Sequence, residues 1–248
     1  MLSNKDRIRY SRQIMLPQMG EVAQERLANS RVMIVGMGGL GCPAALYLAA
    51  AGVGELILVD GDTVDLSNLQ RQVLYKTNHL KKPKVYVAAQ QLQAANPNIH
   101  ITPHAQMADE EWLARNVQGV DLVLDCTDNL AIRYSINRVC RTCRVPVIMA
   151  SAQGFSGQLI SFDFRNDGSH CYECIFPDTG ELPVANCETL GVIGPALGTV
   201  GSAQALEAIK LLANLPLASL NTLKMFDAAA LEWSSINLGG SRCKTCKK

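Results

Sequence analysis

Short apolar runs alternate with longer mixed segments through about the first 150 residues, and that alternation predicts the architecture. RVMIVG (31–36) has the β-branched, glycine-ended character of a buried strand, and ELILVD (55–60) repeats it. Between them lies a glycine-rich turn and an alanine-rich helix, so the unit is strand, helix, strand, which implies a parallel sheet. Val85, Ala89 and Leu92 recur at helical spacing in PKVYVAAQQLQAAN (83–96), with Pro83 suited to the first turn. IHITPH is the next strand, DEEWLARNV a helix, VDLVLDC (120–126) a strand and VPVIMAS (145–151) the last of the parallel series, with a helix beginning near Asp128. Ahead of them a charged segment (6–13) leads into a helix around 19–28.

Beyond residue 150 the pattern changes. GQLISFDF (157–164) alternates and is expected to run antiparallel, followed by a cysteine-bearing loop, a long helix over 195–213 and late strands near 223–226. No repeat or linker interrupts the chain. The expectation is one α/β domain over 1–248 with a Rossmann-like, largely parallel sheet, an antiparallel C-terminal part and helices on both faces. Its parallel part would be about 1–150, and its antiparallel, cysteine-bearing part about 151–248.

Composition narrows the chemistry. A 48% hydrophobic and 18% charged chain is globular, and a net charge of +1 gives no broad field for nucleic acid or an anionic membrane, leaving room only for a local basic site. Two uncharged stretches, 32–54 and 189–206, are broken by glycines and a proline and read as packed structure, not membrane spans. The charged N-terminus lacks an apolar leader, which predicts a cytoplasmic location. In a reducing compartment the nine cysteines would serve metal binding or catalysis before disulfides.

The turn Gly36-Met37-Gly38-Gly39-Leu40-Gly41 matches G-x-G-x-x-G between a strand and a helix, where backbone N–H groups and the helix dipole attract phosphate. Asp60, ending the second strand, is placed to accept ribose hydroxyls. The motif alone does not choose among NAD, FAD and ATP, and it is also compatible with a ligand-free turn. SNLQRQ (67–72) then presents Asn68 and Arg71 at the carboxyl edge of the sheet, and Lys84 opens the next helix within reach of a phosphate. In CTDN (126–129), Asp128 can hold Mg²⁺ or cap the following helix.

Cys171-x-x-Cys174 and Cys243-x-x-Cys246 fit a closed, structural Zn²⁺ site that ties the C-terminal tail to the domain. Cys140 and Cys143 share a helix face and read as packed thiols, as do Cys42 and Cys126. His170 is an alternative zinc ligand, and the other histidines are expected at the surface. Cys187 lies in a polar loop as either a reactive or an inert thiol.

RYSRQI, GMGGLGCPAALYLAAAGVGELILVD, LSNLQRQ, CTDN, CYEC, QALEAIK and CKTC, in that order, resemble the ThiF/MoeB/HesA family, and SAQGFSGQL and CETLGVIGP look closer to ThiF. The resemblance implies an adenylyltransferase that uses ATP and Mg²⁺ to activate the C-terminal glycine carboxylate of a ubiquitin-like sulfur-carrier protein ending in Gly-Gly. A ThiS-like carrier of thiamine biosynthesis is the first reading, and a MoaD-like carrier of molybdopterin biosynthesis the alternative. It implies that Gly36, Gly38, Gly39, Gly41, Asp60, Asp62, Ser67, Asn68, Leu69, Gln70, Arg71, Lys84, Asp128 and Asn129 bind the nucleotide. Arg12 resembles the family's arginine that enters the neighbouring subunit's site, implying a homodimer. With Arg71, Lys84 and Asp128 it would carry catalysis, and Cys187 matches a cysteine able to bond the carrier during sulfur transfer. No rhodanese-like extension is present, so sulfur would come from another protein, such as a cysteine desulfurase or a rhodanese. Two rivals remain: an NAD- or FAD-dependent oxidoreductase gives no role to SNLQRQ or CTDN, and a zinc scaffold explains only the cysteines.

Overall fold

The computed structural model describes residues 2–166, 168–178, 191–240 and 242–247. Five strands, β1 (Arg31–Val35), β2 (Glu55–Val59), β3 (His100–His104), β4 (Leu122–Asp125) and β5 (Val147–Gln153), run parallel. Three more, β6 (Ser156–Phe162), β7 (Thr222–Asp227) and β8 (Glu232–Asn237), continue the sheet antiparallel. The order is β3-β2-β1-β4-β5-β6-β7-β8, one sheet of eight strands.

Period-two side-chain alternation explains why helices cover both faces. Val32, Ile34, Leu56, Leu58, Leu122 and Leu124 point into one apolar layer. Met33, Val35, Ile57, Val59 and Val123 point into the other. The first layer is closed by α4 (Gly41–Ala51), α5 (Lys84–Ala95) and α8 (Gly194–Leu212), and the second by α6 (Glu110–Asn116) and α7 (Leu130–Thr142). Pro103 sits in β3, an edge strand, where a missing N–H costs no ladder bond. Three short helices, α1 (Asn4–Arg9), α2 (Ser11–Ile14) and α3 (Gly20–Ala28), precede β1.

Several expectations shift by a residue or two. Pro83 precedes α5 instead of joining its first turn. β8 had no counterpart among the expected elements, because EWSSIN is exposed throughout and shows no apolar alternation. His79 is buried, not at the surface: its Nδ1 accepts the Lys76 N–H at 3.0 Å. Among the described residues no helix is long and apolar enough to cross a membrane.

Register fixes where ligands meet the sheet. Val35, the last residue of β1, pairs with Val59 of β2 and Asp125 of β4, so the residues after all three strands gather at one edge. Order reverses between β1 and β4, the position at which open α/β sheets form a crevice.

Candidate active site

Gly36 leaves β1 at φ +92°, a backbone conformation that disfavours side chains, and a Cβ there would lie 2.8 Å from the Cys126 carbonyl oxygen. The turn therefore runs directly against the end of β4. Gly41 is equally constrained, since any side chain would collide with the Gly36 carbonyl. No side chain caps α4, whose N-cap is Leu40; the Cys42 N–H turns back to the Gly38 carbonyl at 3.0 Å and Pro43 has no N–H, so the Gly41 amide at the start of the helix is left for an anion.

Asp60 is locked beside this turn. Its Oδ2 accepts the Met37 N–H at 2.7 Å and its Oδ1 the Asp62 N–H at 2.8 Å. Burial raises its carboxyl above the usual aspartate range, against the lowering pull of the nearby Lys84 ammonium. Lys84 is itself buried, and its Nζ pairs with Asp62 Oδ2 at 2.8 Å. The three residues form one charged cluster, two carboxylates to one ammonium, at the edge where β2 ends.

The segment after β2 is self-braced. A 3-10 turn, Leu66–Asn68, is capped by Asp65, whose Oδ1 accepts the Ser67 N–H at 3.0 Å and the Ser67 hydroxyl at 2.9 Å. Those bonds, with the Lys81 ammonium 3.1 Å from Oδ2, lower the Asp65 carboxyl to about 2. Arg71 is half-buried and donates to the Ser67 carbonyl at 3.0 Å, which curls the LSNLQR segment back on itself. Leu69 is half-buried and Gln70 exposed.

After β4, Asp128 is not the cap of α7. Asn129 is the cap of α7, its Oδ1 accepting the Ala131 N–H at 2.9 Å and the Ile132 N–H at 3.4 Å. Asp128 is exposed, and among the described residues no hydrogen bond or ion pair engages its side chain. A carboxylate left free at the sheet's functional edge suits a hydrated divalent cation. Arg12 is exposed on α2, whose neighbour Gln13 donates to the Ala51 carbonyl at the far end of α4. The rise of a helix of 11 residues puts that end about 16 Å from the glycine turn, so within one chain Arg12 is not beside it.

Sulfur atoms of Cys171, Cys174, Cys243 and Cys246 all lie within 4.8 Å of one another. Cys171 Sγ is 3.6 Å from Cys243 Sγ, and Cys174 Sγ 3.7 Å from Cys246 Sγ. Four thiolates at ~2.3 Å from a tetrahedral Zn²⁺ would be ~3.8 Å apart, so the donor set fits that metal. Burial raises the Cys171 thiol to about 11, so a metal that displaces its proton would have to overcome that cost. His170 is not part of the cluster: its Nε2 is 3.0 Å from the Gly239 carbonyl oxygen.

Cys42 and Cys126 pack in one apolar layer and Cys140 in the other, with Cys143 at its margin as the C-cap of α7. Burial pushes the Cys42 thiol up to about 12, which makes it inert at neutral pH. Cys187 lies outside the described residues. Sequence reading missed a buried ion pair, Asp125 with Arg133 (Nε to Oδ2, 3.1 Å), directly behind Asp128. The one signal was an aspartate ending an apolar strand, VLD.

Comparison with known proteins agrees with this geometry. Residues 10–248 match the ThiF family. The chain is 46% identical to the sulfur carrier protein ThiS adenylyltransferase of Escherichia coli K12, over 99% of this chain and 97% of that protein. It is 43% identical to the molybdopterin-synthase adenylyltransferase of the same strain, over 99% and 98% of the two chains. A crystal structure of E. coli MccB with MccA-N7isoASN superposes with a TM-score of 0.85 at 25% identity, covering 96% of this chain and 74% of that one. By sequence and by fold, the chain belongs to the ThiF family.

Proposed function

We propose that this chain is an ATP-dependent adenylyltransferase acting on the C-terminal glycine carboxylate of a ubiquitin-like sulfur-carrier protein, with a ThiS-like carrier of thiamine biosynthesis as first reading. The observation that carries it is the convergence, at one sheet edge, of an uncapped helix behind a glycine turn, the anchored Asp60, buried Lys84 and free Asp128. The 46% identity to a ThiS adenylyltransferase over nearly both full lengths supports that reading, and 43% to the molybdopterin-synthase enzyme supports a MoaD-like carrier as the second.

A carboxylate oxygen of the carrier attacks the α-phosphorus of ATP. One O–P bond forms, the bond from the α-phosphorus to the bridging oxygen breaks, and pyrophosphate leaves with the electron pair. No general base is needed, because the attacking carboxylate is already ionised at pH 7. The amides of Gly38, Gly39 and Gly41 cradle phosphate oxygens, and Asp60 accepts the ribose hydroxyls. Arg71 and Lys84 offset charge gathering on the phosphoryl oxygens, Lys84 exchanging Asp62 for phosphate. Ser67, Asn68, Leu69 and Gln70 wall the nucleotide, and Asn129 fixes the turn beside it. Magnesium held by Asp128 would neutralise the departing pyrophosphate. Arg12 reaches the partner's site in a homodimer, consistent with its distance from the glycine turn of its own chain.

Zinc in the four-cysteine cluster has a structural role, since a closed thiolate shell leaves no open position for chemistry. The terminal sulfur of a persulfide on a separate donor, such as a cysteine desulfurase or rhodanese, then attacks the adenylate carbonyl carbon, and AMP leaves with the C–O electron pair. The Cys187 thiolate displaces the donor's thiolate from the resulting acyl disulfide, forming a transient disulfide to the carrier. An external thiol cleaves that bond to release the thiocarboxylate, leaving a disulfide on Cys187 that a second thiol reduces. Cys187→Ala should spare adenylation and block thiocarboxylate formation, read by the mass of the carrier product. Loss of adenylation would remove Cys187 from that role.

The test is ATP–pyrophosphate exchange with purified ThiS-like and MoaD-like carriers side by side. Exchange dependent on the ThiS-like carrier is expected, exchange with the MoaD-like carrier alone would move the pathway, and exchange with neither would overturn the activity.

A further inference from the structure

Arg133, on the first turns of α7, is buried at 7% exposure. Its Nε lies 3.1 Å from Asp125 Oδ2, and its Nη2 donates to the Thr127 carbonyl at 2.6 Å and to the Ala150 carbonyl at 2.9 Å. One guanidinium thus joins the end of β4, the turn before Asp128, and β5. Asp125 supports the same turn from below: its Oδ1 accepts the Thr127 N–H at 2.9 Å and the Thr127 hydroxyl at 2.6 Å. From the opposite face of the sheet, Gln204 of α8 donates to the Asp125 carbonyl at 3.0 Å.

The guanidinium also faces Tyr172, its carbon 5.7 Å from the ring centroid. Tyr172 is the first of the two residues between the paired thiols Cys171 and Cys174, in the turn Tyr172–Cys174. One helical turn beyond Arg133, buried Asn137 accepts the Tyr172 N–H at 2.9 Å. Tyr134 meets the same ring edge-on, with centroids 5.6 Å apart. The cysteine turn therefore rests on α7 through Tyr172, and α7 holds the Thr127 turn through Arg133.

We propose that Arg133 is a positioning residue that couples the four-cysteine cluster to the cation-binding turn: metal in the cluster fixes Tyr172, Tyr172 fixes the guanidinium, and the guanidinium holds Asp128 in place. Arginine suits the task, because its planar fork bonds two carbonyls while pairing with a carboxylate and stays charged when buried, whereas lysine offers one point charge. A buried charge with no such task would be costly to keep. The proposal rests on the reading of Asp128 as the cation ligand.

The test uses the full-length zinc-loaded protein and three readouts: zinc per chain, deuterium exchange at the Thr127 amide, and the Mg²⁺ concentration giving half-maximal ATP–pyrophosphate exchange. Tyr172→Leu should keep its zinc, yet Thr127 should exchange about 30-fold faster, the scale of a desolvated cation–π contact, and half-saturation by Mg²⁺ should rise several-fold. Tyr172→Phe, which keeps the ring, should stay within about twofold of wild type in both. Chelating the zinc from wild-type protein should reproduce the leucine variant without any substitution. Unchanged Thr127 exchange after both Tyr172→Leu and zinc removal overturns the coupling, and so does faster exchange with no shift in Mg²⁺ dependence. Asp128→Ala separates the two claims: undiminished activity there sinks the cation reading, and the Thr127 amide then judges the link from Arg133 on its own.

Discussion

The two halves of the sheet are held together differently. β1 and β2 are buried on both faces with only their first residues reaching solvent, and β4 is buried entirely. β7 is half-covered and β8 exposed at every position. Where strands are buried twice, apolar area supplies the cohesion, and the strand ends stay rigid enough to present Gly36, Asp60 and Asp128. Where they are not, polar and metal-binding contacts replace it: the cysteine cluster gathers the tail, and Glu207 ties α8 to the segment before β7. The candidate nucleotide residues Gly36, Asp60 and Asp128 follow the doubly buried strands, and the four-cysteine cluster lies with the other half.

Breaking the rigid half at its functional edge gives the largest expected effect. Asp128→Ala should lower carrier-dependent ATP–pyrophosphate exchange by about 10²-fold or more, the scale of losing one preorganised charge contact in a transition state. Because Asp128 is exposed and engages no described partner, the melting temperature should barely move. Wild-type exchange in that variant would break the link between this edge and catalysis.

The other half should respond in the opposite sense. Cys243→Ser should lower zinc below one per chain and destabilise the protein by about 4 kcal/mol, if metal otherwise stands near a thousand times its Kd. Residual activity at low temperature should exceed that of Asp128→Ala. Zinc retained at one per chain would place the metal elsewhere, and activity lost as completely as in Asp128→Ala would show that the halves are not separable in this way.

What the sequence revealed follows the same division. Val32 and Ile34 against Met33 and Val35, or Leu56 and Leu58 against Ile57 and Val59, are apolar on both faces, and a short β-branched run says so directly. Gly36 and the paired C-x-x-C were legible because a steric need and a metal's geometry each demand particular residues at fixed spacing. The α7 cap was not, since Asp128 and Asn129 are both good capping residues and local sequence cannot rank them. Arg133 was missed because a charged residue on a helix reads as solvated until a buried carboxylate is brought beneath it. β8 was missed because an exposed edge strand has no apolar face to alternate.

The smallest effect concerns the joint between the halves, where Glu207 accepts the Ser219 N–H at 2.8 Å and the Ser219 hydroxyl at 2.6 Å and pairs with Lys210 Nζ at 2.5 Å. Ser219 Oγ is in turn 2.5 Å from Ser161 Oγ on β6, so the cluster reaches into the antiparallel strands. Burial alone would raise the Glu207 carboxyl, but the bonds from Lys210 and Ser219 outweigh it and hold the group below the usual glutamate range. A carboxyl depressed on folding adds stability that is fully present above the unfolded value, about 4.3, and is lost as pH falls through the folded value. Glu207→Gln removes the charge while keeping the shape, and should cost about 1–3 kcal/mol at pH 7. The stability gap between wild type and variant, measured by urea unfolding, should shrink as pH is lowered from 6 toward 3. A gap that stayed constant or widened on acidification would mean that the joint is held by packing of α8 against the sheet, not by the charge on Glu207.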